Sequence, residues 1–178
     1  MIDVGCLIRT FSPEETQKIG KKLGSLLLPG SFILLEGELG GGKTCFTRGI
    51  VSGVDPDCQV FVSSPTFAIM NEYRCSIPVY HFDFYRLHGA GEITELGFED
   101  YFCGEGICIA EWGERTGELT PPDHITVTFR YVTENCRDIS FEAEGGRSSA
   151  ALKKLSSFLQ KGGSSPNDSI GDPLFSDS

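Results

Sequence analysis

Residues 37–44 read Gly37-Glu38-Leu39-Gly40-Gly41-Gly42-Lys43-Thr44, a complete match to G-x-x-x-x-G-K-[ST]. Each residue type in that string answers a need of phosphate binding. Glycines adopt positive φ and let the backbone close around phosphate oxygens. Their N–H groups, continued by the N-terminus of a following helix, bind the anion. Lys43 is placed to span the β- and γ-phosphates, and the Thr44 hydroxyl to ligate Mg²⁺. The plain alternative is a glycine turn before an ordinary helix. Context decides between them, because a true phosphate loop needs a buried strand before it and a helix after it.

Two acids compete for the metal. Asp83 ends the run Val79-Tyr80-His81-Phe82, and Glu111 ends Ile107-Cys108-Ile109-Ala110. In each case an apolar run delivers a carboxylate to the C-terminal edge of a sheet, where ligands gather in open α/β folds. Mg²⁺ takes an octahedron of hard oxygens and keeps several waters. One carboxylate can therefore hold the ion while the other orients the attacking water. The residues alone leave open which does which. Ser63-Ser64-Pro65-Thr66 reads either as a switch segment, with Thr66 sensing a γ-phosphate, or as a proline turn. Trp112 reads equally as core or as a lining of the site. Arg48 and Arg86 fit surface ion pairs better than transition-state charge, and His81 reads as a packed strand residue. No N-K-x-D string occurs in the chain, so ATP rather than GTP is the expected nucleotide.

The elements that must hold these residues follow from period and punctuation. Cys6–Arg9 opens as a strand. Ser12-Pro13-Glu14-Glu15 starts a helix with a serine N-cap, a proline at the first position and a capping-box glutamate. Ile19, Leu23, Leu26 and Leu27 continue it at helical spacing, and Pro29-Gly30 ends it. Phe32–Leu35 is a strand buried on both faces, and Phe46, Ile50, Val51 and Val54 mark the helix after the loop. Strands are expected over Thr66–Arg74, Val79–Phe84 and Ile107–Glu111. An amphipathic helical stretch fits Glu92–Phe102, with Ile93, Leu96 and Phe102 inward. Ile125–Tyr131 and Ile139–Ala143 alternate as a closing antiparallel pair, and Ala150–Leu159 forms a last helix. The expected fold is α/β: a phosphate-loop domain with a largely parallel central sheet flanked by helices and antiparallel strands at the closing end.

Composition sets the limits. A chain of 178 residues, 39% hydrophobic, suits one domain, read here as 1–161. Residues 162–178 open with Gly-Gly-Ser-Ser-Pro-Asn-Asp-Ser, too poor in apolar side chains to offset the entropy of ordering, and read as a disordered tail. Nothing approaches the ~18 apolar residues of a membrane span, and the start lacks a secretory layout, so a cytoplasmic protein with no membrane role is expected. Seven cysteines without a C-x-x-C pair read as reduced, mostly buried thiols. The net charge of −10 argues against gripping a nucleic acid unaided, but a local nest of N–H groups still admits a nucleotide.

Beyond the loop, Phe46-Thr47-Arg48-Gly49, Ser64-Pro65-Thr66-Phe67, His81-Phe82-Asp83-Phe84-Tyr85-Arg86 and Glu111-Trp112 occur in that order. This ordered set resembles the TsaE (YjeE) family, the bacterial ATPase of tRNA threonylcarbamoyladenosine synthesis. The resemblance runs from about Cys6 to about Ala143 and implies a small phosphate-loop fold with weak ATPase activity. It implies work beside a TsaB–TsaD pair, which transfers the threonylcarbamoyl group to adenosine next to the anticodon, so that tRNA is met only through the partners. It further implies that Lys43 binds phosphate, that Thr44 and Glu111 hold Mg²⁺, and that Asp83 supports hydrolysis. The nucleotide-binding set would be Ser12 near the base, Glu38, Leu39, Gly40, Gly41, Gly42, Lys43, Thr44 and Cys45 of the loop, then Thr66 and Trp112. Departures are Glu38 for aspartate, Gly41 for alanine and Cys45 for threonine, none of which removes a ligand. The rival reading is a small-molecule kinase, against which the acidic Leu87–Gly97 segment weighs, since kinase lids are usually basic.

Overall fold

A computed structural model describes residues 3–162; the expected tail at 162–178 lies, but for its first residue, outside the described residues. Seven strands form one sheet in the order β1-β7-β6-β2-β5-β4-β3. They are β1 (Asp3–Thr10), β2 (Phe32–Gly37), β3 (Met70–Tyr73), β4 (Val79–Asp83), β5 (Ile107–Glu111), β6 (His124–Tyr131) and β7 (Arg137–Glu144). The middle run β6-β2-β5-β4 is parallel throughout, while β1 with β7, β7 with β6 and β3 with β4 pair antiparallel. The helices are α1 (Pro13–Gly24), α2 (Lys43–Val54), α3 (Ala90–Glu95), α4 (Glu99–Phe102) and α5 (Gly146–Gly162). The sheet is thus mostly parallel in the middle and antiparallel at its ends, as its strand patterns foretell. No helix of the described residues is long and apolar enough to cross a membrane.

β2 shows why the centre of the sheet is continuous apolar sequence. Ile33 and Leu35 join a cluster with Ile19 and Leu23 of α1, Phe46 and Ile50 of α2, and Leu155 of α5. Phe32 and Leu34 join a second cluster with Phe82, Ile93, Phe102 and Ala110 on the other face. Both faces are covered, so a strand of this kind carries no polar alternation. β7, at the edge of that covering, alternates instead, with Ile139, Phe141 and Ala143 buried and Glu142 and Glu144 exposed.

α1 and α2 lie backbone to backbone. A Cβ built on Gly20 would sit 2.4 Å from the Phe46 carbonyl oxygen, and one on Gly24 2.1 Å from that of Ile50. The reciprocal positions are as tight: Gly49 against the Gln17 oxygen at 2.2 Å and Gly53 against that of Lys21 at 2.0 Å. These four glycines hold α2, which follows the glycine-rich loop, close against α1. Gly24→Ala is expected to destabilise the fold by about 2 kcal/mol, an overpacking cost that exceeds alanine's helix-propensity gain of ~1 kcal/mol. Gly91→Ala, where a Cβ meets nothing within 4 Å, is the control and should cost nothing. Urea titration of both variants measures this, and equal midpoints would mean the helices separate freely.

Four expectations are corrected. α1 stops at Gly24, short of Pro29-Gly30, because the N–H and hydroxyl of Ser25 take up the Lys21 and Lys22 carbonyls and the chain then turns tightly. The stretch Glu92–Phe102 breaks into α3 and α4 at Gly97, whose φ of +72° is left-handed, and Leu96 is thrown outward at 49% exposure. β3 begins at Met70, since Thr66–Ala68 form a turn instead of extending the strand. Cys58 and Cys75 are bonded, S–S 2.11 Å, not reduced. The Asp55 carboxylate accepts from the Asp57 and Ser76 N–H groups at 3.0 and 2.8 Å and so draws the two cysteine segments together. Of the remaining thiols Cys108 and Cys136 are buried, and burial pushes Cys108 up to about 12.

Candidate functional site

The site forms where β2, β4 and β5 end. Parallel pairing sets Asp83 directly beside Glu111 and Leu35 beside Glu111 on its other side. The loop leaving β2 therefore rises next to both acids. Gly37 has φ +127°, and a Cβ there would lie 2.4 Å from the Phe129 oxygen of β6, so glycine is required for the chain to leave the sheet. Gly42, φ +103°, is the N-cap of α2 and offers no side-chain bond to the helix. The first N–H groups of α2 thus have no side-chain cap and form, with the helix dipole, an anion site.

A cleft of about 390 Å³ opens there. Of the residues singled out from sequence, Leu39, Gly40, Gly41, Gly42, Lys43, Thr44, Cys45, Thr66, Asp83, Glu111 and Trp112 line it, together with Ser64 and Tyr85. Ser12 does not; its hydroxyl accepts from the Glu15 N–H as the N-cap of α1. Its neighbourhood still adjoins the loop, because the Cys45 thiol donates to the Pro13 carbonyl at 3.3 Å. Burial raises that thiol's pKa against the pull of Arg48 and Arg137, so it stays protonated. Glu38 contributes its backbone, its carbonyl closing a turn with the Gly41 N–H at 3.1 Å.

Lys43 is 4% exposed and donates to the Gly37 and Glu38 carbonyls at 2.6 and 2.8 Å. Its ammonium also lies 4.5 Å from the Trp112 ring centre. Burial pulls the Lys43 pKa below the ordinary lysine value, opposed by the carboxylates of Glu111, Asp83 and Glu114. An anion in the cleft would relieve that penalty. Trp112 reaches its place through a left-handed backbone, φ +60°, a strained setting for a tryptophan that also brings its ring to 5.0 Å from that of Tyr85, tilted by 48°.

The two acids have different surroundings. The Glu111 Oε1 accepts from the Thr44 hydroxyl at 2.9 Å and pairs with His81 Nε2 at 2.9 Å, and among the described residues Oε2 takes no bond. Asp83 Oδ2 accepts from Ser64 at 2.5 Å and Thr66 at 2.9 Å, and Oδ1 from the Tyr85 N–H. The Ser64 and Thr66 hydroxyl oxygens lie 3.0 Å apart, so three oxygens share two hydroxyl protons and Ser64 can hold Asp83 when Thr66 turns elsewhere. The donor set of a threonine hydroxyl and two carboxylates is all hard oxygen and fits Mg²⁺, with Thr44 and Glu111 already at hydrogen-bond distance.

Two groups carried no recognisable signal in the sequence. Arg137, at the start of β7 and 7% exposed, packs its guanidinium against Gly42; Nη2 donates to the Glu134 carbonyl at 3.5 Å, and among the described residues Nε has no hydrogen-bond partner. An unpartnered, buried guanidinium Nε over a glycine-rich loop suits an anionic ligand. His81, read as a packing residue, is indeed fully buried, yet it bonds directly to Glu111. Arg48 donates to the Val62 carbonyl and Arg86 stacks over Phe67, so neither enters the cleft lining.

The profile of a family described as threonylcarbamoyl adenosine biosynthesis protein TsaE matches residues 10–139. The tRNA threonylcarbamoyladenosine biosynthesis protein TsaE of Bacillus subtilis is 38% identical over 149 residues, 83% of this chain and 92% of the relative. That of Treponema pallidum is 34% identical over 129 residues, 72% and 94% of the two chains. The crystal structure of Bacillus subtilis YdiB superposes with a TM-score of 0.73 at 33% identity, covering 89% of this chain and 97% of that one.

Proposed function

From the premise that this chain belongs to the TsaE family, we propose that it is the ATP-binding, Mg²⁺-dependent ATP-hydrolysing component of tRNA threonylcarbamoyladenosine synthesis. The observation that carries the reading is one cluster: the Thr44 hydroxyl 2.9 Å from the Glu111 carboxylate, with Lys43 buried beside it at a helix start that no side chain caps. Lys43 exchanges its two loop carbonyls for phosphate oxygens, and Arg137 adds a second positive charge over Gly42. Thr44 and Glu111 are the residues that would hold Mg²⁺, whose role when bound is to neutralise charge on the phosphates. Asp83 sits at the next strand end and accepts hydrogen bonds through both oxygens. As Thr66 turns away, its Oδ2 becomes available to orient a water for attack.

The work is done beside a TsaB–TsaD-type pair, with tRNA reached only through those partners. Exposed apolar side chains support a protein partner: Leu39 of the cleft lining and Phe67, next to the lining residue Thr66, are 77% and 84% exposed. Net charge −10 disfavours direct tRNA binding. The test is ATPase activity at fixed Mg²⁺ with and without a purified TsaB–TsaD pair. Strong stimulation is expected. Activity indifferent to the pair would shift the reading to a small-molecule kinase, and absence of ATP binding would end it.

A further inference from the structure

One short segment is fastened to both acids of the site. Ser64 and Thr66 donate to Asp83, as described. On the other side of the same segment, the Ser63 carbonyl lies 3.2 Å from the Tyr73 hydroxyl and 3.2 Å from the Asn71 amide nitrogen, which donates to it. The Tyr73 hydroxyl lies 3.0 Å from His81 Nδ1, and His81 Nε2 lies 2.9 Å from Glu111 Oε1. Thr44 completes the line at that same oxygen. We propose that His81 is a positioning residue that, through Tyr73 and the Ser63 carbonyl, sets the Glu111 carboxylate for the metal and couples it to the segment holding Asp83.

Donor and acceptor chemistry supports this order. An ionised Glu111 only accepts, so Nε2 carries a proton and donates. That bond pins Oε1 and leaves Oε2 as the carboxylate oxygen without a partner among the described residues. Nδ1 then accepts from the Tyr73 hydroxyl, whose single proton is shared with the Ser63 carbonyl, the two acceptors lying 3.0 and 3.2 Å from the same oxygen. Every atom of the line sits on a different element: Thr44 on α2, Glu111 on β5, His81 on β4, Tyr73 on β3 and Ser63 on the loop between α2 and β3. A carboxylate held on one oxygen by a histidine that is itself held is the arrangement by which outer residues tune a metal ligand. Because Ser63 adjoins Ser64, movement of the segment would free Asp83 of its two hydroxyl donors and at the same time remove the carbonyl that holds Tyr73 against His81.

This inference rests on the proposed nucleotide site, and its test separates the two. A fluorescent ATP analogue is titrated into wild type, His81→Leu, His81→Gln and Tyr73→Phe, first in EDTA and then against increasing Mg²⁺, with melting curves for each. The expected result is that His81→Leu needs at least about tenfold more Mg²⁺ to reach half-maximal tightening, in line with the usual loss when a metal ligand's outer partner is removed. Its metal-free affinity should stay within about twofold, since Lys43 and the loop are untouched. His81→Gln keeps an N–H donor and should recover most of the Mg²⁺ response. If His81→Leu does not fold, Tyr73→Phe, which removes one oxygen and keeps the ring, is expected to raise the Mg²⁺ requirement about threefold by cutting the link to Ser63. An unchanged Mg²⁺ requirement in the folded variants, or equal losses in the leucine and glutamine variants, overturns this inference alone. A wild-type chain that binds no nucleotide overturns the functional reading and this inference with it.

Discussion

Asp83→Asn is expected to leave ATP bound with affinity near wild type while lowering its turnover about 10²- to 10⁴-fold, the range associated with losing a positioned proton acceptor. Asparagine has the shape of aspartate, and its carbonyl oxygen can still accept from Ser64 and Thr66. The bond from the Tyr85 N–H, made to the other oxygen at 3.0 Å, is the one that an amide nitrogen cannot accept. Folding should therefore survive, and Lys43 and the loop, the proposed phosphate contacts, are untouched. What disappears is the negative charge beside Glu111 that can orient and accept a proton from the attacking water. Single-turnover hydrolysis with a separate binding titration distinguishes chemistry from affinity. Wild-type turnover in this variant would confine Asp83 to holding the Ser64–Thr66 turn and move the hydrolytic role to Glu111.

Lys43→Ala is expected to weaken ATP binding by about 30- to 150-fold, from a loss of ~2–3 kcal/mol of charge-assisted contact. The apo protein should not become much less stable. Burial already penalises this ammonium, and removing it gives up two carbonyl hydrogen bonds and a contact with Trp112 while also removing a desolvated charge. The two effects oppose each other. Calorimetric titration with ATP and a melting curve of the apo form check both halves. Lys43→Arg should not rescue binding, because a planar fork does not replace a compact ammonium between two carbonyls. Unchanged affinity in Lys43→Ala would remove the phosphate role assigned to this loop.

Much of the site was legible because its parts are contiguous. The glycine-rich motif spans eight positions with the strand and helix that frame it on either side, and each acid closes its own apolar run. The capping of α1 by Ser12 and Glu15 was equally local, though the Glu15 carboxylate bonds the Phe11 N–H at 2.8 Å, one residue before the N-cap. The errors fell where a local pattern had two solutions. Thr66 has strand propensity, yet its hydroxyl is drawn to Asp83 and the backbone turns. Glu92–Phe102 has helical spacing, but Gly97 adopts a left-handed angle that ends one helix and lets Phe102 fold back onto Phe32, ring centres 4.7 Å apart.

The sequence by itself determined the α/β class, the glycine-rich turn at 37–42 between a strand and a helix, the C-terminal-edge placement of Asp83 and Glu111, and the family. All of these depend on short-range periodicity or on strings read in order. Only the tertiary structure decided that Thr44 and His81 meet on one oxygen of Glu111. The same is true of the approach of Arg137 to Gly42 from β7, the bond between Cys58 and Cys75, and the contact of four glycines across α1 and α2. The physical reason is common to them. Each is a contact between segments distant in the chain, selected by strand order and packing of the whole sheet, and no residue's own neighbours along the chain encode it.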